Sequence, residues 1–151
     1  MCPETDQHIV RVFRTLFDPH DAHVCMIDLH GMILAVNAAW HRFGEGNGLP
    51  SGYRCEGINY LDLCAAAAEK GDTFAGEALA GLLDVLATGR SKFVMTYPCH
   101  APHERRWFKL WVEPQMPFSP VVIVAHQLLR YEATSDQPVQ GAWCVGGISR
   151  A

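Results

Sequence analysis

The chain is predicted to form an α+β domain built on one five-stranded antiparallel sheet with helices packed on one face. Three observations carry this expectation. A helix-period segment opens the chain, two short apolar runs flank a glycine turn soon after it, and three longer strand-like segments come late. Between the early pair and the late three lie helical segments and a glycine-rich loop. A length of 151 residues suits one domain, and no internal repeat is visible.

The first segment, Thr5 to Pro19, places Ile9, Val12, Phe13, Leu16 and Phe17 at helical spacing on one face, with Arg11 and Arg14 off it. Thr5 or Asp6 can cap it, and Asp18-Pro19 ends it. Residues 23–28 and 32–36 are short apolar runs joined by Asp28-Leu29-His30-Gly31, a hairpin signal. Asn37 can cap a short helix carrying Ala38, Trp40 and Phe43. Residues 44–57 read as a loop, and short helical pieces follow around 60–69. Asp72 or Thr73 starts a longer helix with Leu79, Leu82, Leu83 and Leu86. Gly89 stands where a left-handed cap would close it. Strand candidates 92–97, 105–113 and 121–129 follow. From Glu132 onward the chain is polar and glycine-rich. The expected organisation is an N-terminal amphipathic helix over 1–22, the domain proper over 23–131, and an irregular tail over 132–151.

Composition removes several functions. Hydrophobic residues make up 49% and charged residues 19%, which is globular and not disordered. The net charge is −4 and basic residues are scattered, so there is no footprint for nucleic acid. Apolar runs are too short to span a membrane, and the N-terminus lacks a secretory layout. The six cysteines form no CxxC pair and are expected to be reduced thiols in a cytoplasmic protein. There is no Gly-x-Ser-x-Gly elbow and no phosphate-binding glycine loop, and carboxylates are dispersed, so no enzyme activity is expected.

Local motifs carry a family resemblance. Asp28-x-x-Gly31-x-Ile33-x-x-x-Asn37-x-x-Trp40 resembles the opening hairpin and first helix of bacterial PAS domains. Gly57-Ile58-Asn59-Tyr60-Leu61 followed by Cys64 resembles the middle helices of a large sensory-box subgroup. Tyr97-Pro98-Cys99-His100-Ala101-Pro102 and Arg106-Trp107-Phe108 resemble that subgroup's hairpin, and Val122 to His126 its last strand. The resemblance spans residues 23–130 and implies the PAS fold, with a ligand pocket between sheet and helices.

By that analogy and by strand parity, Phe93, Met95 and Tyr97 face inward, as do Phe108, Leu110 and Val112, and Val122, Val124 and His126. Tyr60, Leu63, Leu79, Leu82 and Leu86 would close the helical side. The other sheet face carries Val94, Trp107, Trp111, Val121 and Ile123. An antiparallel sheet with one wet face alternates apolar and polar residues, so this second apolar face needs a cover. The N-terminal helix can supply it through Ile9, Phe13, Leu16 and Phe17. The two tryptophans exceed what one helix must bury. A homodimer through Ile9, Phe13, Leu16, Phe17, Trp107, Trp111 and Ile123 is therefore expected.

His126, among valines, can hydrogen-bond a ligand, ligate haem iron, or sit as a core histidine bonded to a backbone carbonyl. In haem-binding PAS proteins the ligand lies on the helices, and residues 60–70 and 72–89 hold no histidine, which weighs against haem. The light-sensing branch has cysteine after Gly-x-Asn, where this chain has Tyr60. Adduct chemistry is thus absent, while non-covalent flavin stays open. Cys99, His100 and His103 have the residue types of metal ligands but no visible fourth partner, so no metal is assigned. The resemblance implies a signal-sensing domain that binds a small ligand or cofactor. It would pass the signal through a homodimer or to a partner such as a histidine kinase or other output protein. The alternative is a ligand-free dimerisation or docking module, its pocket filled by Phe93, Met95, Tyr97 and Phe108.

Overall fold

The computed structural model describes residues 3–89, 91–116 and 119–133. From residue 134 the expected tail lies outside the described residues. The elements are α1 (Pro3–Phe17), β1 (His23–Asp28), β2 (Ile33–Val36), α2 (Ala38–Gly46), α3 (Tyr60–Glu69), α4 (Thr73–Thr88), β3 (Phe93–Pro98), β4 (Glu104–Pro114) and β5 (Val121–Ala133). The strands form one sheet in the order β2-β1-β5-β4-β3, with every pairing antiparallel. The last strand thus inserts beside the first, and the two early strands join the three late ones in one layer.

Each turn and cap has a local cause. Asp28 Oδ1 accepts from the backbone N–H groups of His30 and Met32 at 2.8 and 3.0 Å, closing the first hairpin. Gly31 takes φ 90° there, and a Cβ on it would lie 2.6 Å from Leu61 Cγ. Asn37 caps α2, as expected, by accepting from Trp40 N–H at 3.0 Å. It is also fully buried, accepts from Val24 N–H, and donates to the carbonyls of Phe17 and Ala22. One side chain therefore ties the end of α1, the start of β1 and the start of α2. Asn59 caps α3, Asp72 caps α4, and Gly89 ends α4 at φ 63°. At the N-terminus the expectation fails: α1 begins at Pro3, so Thr5 and Asp6 lie inside it. Proline suits a first helical position because its missing N–H would have had no partner there.

The helices α2, α3 and α4 enclose one core against the inner sheet face, containing Trp40, Tyr60, Leu82, Val85, Met95, Tyr97, Phe108, Leu110, Val112, Val122 and Val124. Side chains buried this fully contribute about 1.5–3 kcal/mol each. A second, smaller cluster on the outer face gathers Phe13 of α1 with Val24, Met26, Ala35 and Val121. β5 runs past residue 129 because β4 offers partners along its length, down to Glu104 opposite Ala133. A bulge at Trp107/Phe108 interrupts that pairing. No helix among the described residues is long and apolar enough to cross a membrane.

Cys25, Cys55 and Cys64 are free and buried. Burial pushes the Cys64 thiol up to about 12, so it is a small apolar filler and not a nucleophile. Cys99 departs from the expectation of reduced thiols: it is disulfide-bonded. Which thiols approach closely enough to bond is a matter of tertiary distance, which cysteine spacing does not encode.

Candidate functional site

The centre of the inner face is polar. His126 projects from β5 between Leu110 of β4 and His23 of β1, its register partners, and is fully buried. Tyr60, held at the first turn of α3 by the Asn59 cap, brings its hydroxyl to 2.9 Å from His126 Nε2. Tyr97 of β3 reaches His126 Nδ1 with its hydroxyl at 2.5 Å. A neutral imidazole has one donor and one acceptor, so one phenol donates to the ring and the other accepts from it. Burial, with a smaller contribution from His23, pushes His126 down to about 3. Burial also raises both phenols well above their usual range. The three groups are therefore neutral near pH 7. They offer hydrogen bonds to a ligand, not a charge.

Aromatic rings frame this chain. Trp40 stands edge-on to His126 at 6.0 Å between ring centres and donates its indole N–H to Cys55 Sγ at 3.2 Å. Tyr97 stacks on Phe108 at 5.8 Å. Beyond Phe108, Arg106 also turns inward and is buried. Its Nε donates to the Cys99 carbonyl at 2.8 Å and its Nη2 to Asn47 Oδ1 at 3.1 Å. Its guanidinium lies over the Phe43 ring, 5.0 Å from the centre.

With this geometry in hand, the chain can be set beside known proteins. No protein-family model matches it. Over 114 residues it is 37% identical to an uncharacterised 104.1 kDa protein of Rhodobacter capsulatus from the hypE 3′ region. The alignment covers 73% of this chain, which spans only 12% of that protein's length. Among solved structures, the PAS domain of BvgS from Bordetella pertussis superposes with a TM-score of 0.54 at 15% identity, covering 85% of this chain and 88% of that one. The chain has the PAS fold.

Within this PAS fold, Tyr60, Leu82, Met95, Tyr97, Phe108, Leu110, Val122, Val124 and His126 are buried as their assigned faces require, and Leu79, Leu86 and Phe93 pack half-buried against them. Leu63 is half-buried outside that cluster, and Leu61 packs there instead. The α3 stripe runs through Leu61, Cys64 and Ala68, and Leu63 lies roughly a quarter turn or more away from its centre. Both ring nitrogens of His126 meet phenol hydroxyls, Nε2 that of Tyr60 and Nδ1 that of Tyr97.

The outer positions divide. Phe13 is buried, with Ile9, Phe17 and Ile123 half-buried around it. Leu16, expected to cover the sheet, is 57% exposed, and Val10 packs there in its place. The stripe of Ile9, Val10, Phe13 and Phe17 is centred on Phe13, which turns Leu16 to the flank. Trp107 and Trp111 lie half-buried on β4 outside this cluster. Arg130 covers the first at 4.2 Å and Lys109 the second at 4.9 Å from the ring centres. In the β3–β4 loop, His100 Nδ1 accepts the Arg106 backbone N–H at 3.0 Å. Among the described residues no group of three His, Cys, Asp or Glu side chains is placed to hold a metal.

Sequence reasoning missed Arg106 as an inward residue. The signal was present, since Arg106 shares the parity of Phe108, Leu110 and Val112.

Proposed function

We propose that this PAS fold is a signal-sensing domain that binds a small ligand against the inner sheet face. It passes the resulting change to a second copy or to an output protein such as a histidine kinase. The observation that supports this is the Tyr60–His126–Tyr97 chain at the centre of that face. A buried polar group costs about 1–3 kcal/mol when its partner is lost, so hydrocarbon would serve pure stability better here. A ligand with one donor or acceptor can take the place of one phenol on His126. Tyr60 belongs to the helical layer and Tyr97 to the sheet, so such an exchange favours one arrangement of the two layers over another. That differential binding is what signalling requires. The role is regulatory, not catalytic, and the outer face with Leu16, Trp107 and Trp111 is the proposed contact for transmission.

One observation favours the second reading, a ligand-free docking module. The chain is satisfied by protein partners alone, and Tyr60, Tyr97, Phe108 and His126 are 0–2% exposed. Native and denaturing mass spectra of freshly purified protein, with its visible absorption spectrum, separate the two. Extra mass in the native spectrum supports the sensor, and a coloured band identifies a cofactor. A native mass equal to the bare chain, unchanged after incubation with a small-molecule extract, supports the docking module.

A further inference from the structure

We propose that the end of the inner face marked by Arg106 binds a small carboxylate. The inference rests on the sensor reading and names the class of its ligand. Arg106 is 9% exposed, yet no carboxylate among the described residues forms an ion pair with it; Glu104, on the same strand, acts on it only from farther off. Its hydrogen bonds go to neutral acceptors, the Cys99 carbonyl and the Asn47 amide oxygen, with a long contact to Cys99 Sγ at 3.9 Å. A buried guanidinium is ordinarily matched by an acid.

Two further observations point to an anion. His23 Nδ1 is buried without a hydrogen-bond partner. Its ring packs on the same Phe43 that Arg106 covers, at 4.1 Å between centres. Both groups also flank Phe108, at 5.7 and 5.8 Å. The local field is positive: Arg106 and Arg42 both disfavour protonation of His23, behind burial as the main cause. This is the reverse of a chain whose net charge is −4. A carboxylate has the planar shape that accepts the edge of a guanidinium, and the His23 tautomer carrying its proton on Nδ1 adds a donor. Phe43 and Phe108 supply apolar walls for the carbon part of the acid. Phe108 stacks on Tyr97, its register partner, and Tyr97 bonds His126, so packed rings link the Arg106 end to the Tyr60–His126–Tyr97 chain.

The test follows the Arg106 Nε–H resonance of isotope-labelled protein during a titration with sodium acetate. Acetamide serves as the neutral isostere and sodium chloride matches ionic strength. The expected result is a saturable shift with acetate that neither control reproduces. Arg106→Gln, read at the His23 ring resonances, should weaken binding by roughly tenfold or more, the loss expected for a charge-assisted pair. A shift that stays linear, or that acetamide or chloride equals, overturns the proposal. The wild-type contrast decides the matter even if the variant does not fold. A co-purified neutral ligand alongside a silent Arg106 overturns this inference and leaves the sensor standing. Saturable acetate binding with Tyr97 and His126 unmoved and no bound mass upholds the anion site and removes the sensor reading.

Discussion

The two faces of the sheet are both apolar, but they are closed in different ways. The inner face is covered by three helices from the middle of the chain and keeps a hydrogen-bonded chain of Tyr60, His126 and Tyr97 at its centre. The outer face is covered by α1 over β1, β2 and part of β5, and Trp107 and Trp111 of β4 stay half-buried under Arg130 and Lys109. Width explains the difference. A helix is about 10 Å across and neighbouring strands are about 4.8 Å apart, so one helix covers two or three strands of five. The inner face is therefore a finished interior with polar parts. The outer face is an interior over one half and a surface over the other.

The largest expected effect tests this on the inner face. Phe108→Ala removes a ring in contact with Tyr97, Phe43 and His23 from a site with 1% exposure. Its cost should be about 3–5 kcal/mol in urea unfolding. A loss below 1 kcal/mol would mean that the inner face is not the closed core described, and the contrast between faces would fail.

Much of this was legible in the sequence. The hairpin at Asp28–Gly31, the caps at Asn37 and Asp72 and the stop at Gly89 are local chemistry, written within a few residues of where they act. Strand parity placed Met95, Tyr97, Leu110 and Val124 because a period of two leaves no choice once one residue is assigned. What was missed depends on partners distant in sequence. Asn37 read as a cap, but its donation to Phe17 and Ala22 depends on where α1 ends in space. His126 read as a lone histidine, because Tyr60 and Tyr97 lie 66 and 29 residues away along the chain. Leu16 and Leu63 have apolar spacing like their neighbours, and only the docking angle of each helix decides which flank of the stripe meets the core.

The next effect in size comes from pH and again singles out the inner face. His126 is held at about 3 in the folded protein against an ordinary 6.5. The unfolded chain therefore takes up the proton first. Stability from this group is fully present above pH 6.5 and is lost as pH falls toward the folded value. Between pH 6.5 and 5 the loss should be about 2 kcal/mol for this histidine. His23, pushed down to about 4, adds a loss of the same sign. Urea melts at several pH values check this, and His126→Gln should flatten the profile. A profile equally steep in that variant would place the responsible group elsewhere.

The smallest effect on stability is expected on the outer face, and there it says the most about transmission. Trp111 is half-buried and already covered by Lys109, so Trp111→Glu should cost about 1 kcal/mol or less, in the range of surface substitutions. If the β4 strip joins two copies, the same substitution places a carboxylate inside an apolar contact, and sedimentation should shift from dimer to monomer with the fold intact. A wild-type chain that sediments as a monomer at all concentrations would mean that the two cations alone shield the tryptophans. The strip would then be open for a different protein, and α1, anchored by Phe13 but leaving Leu16 outward, would be the element best placed to feel that partner.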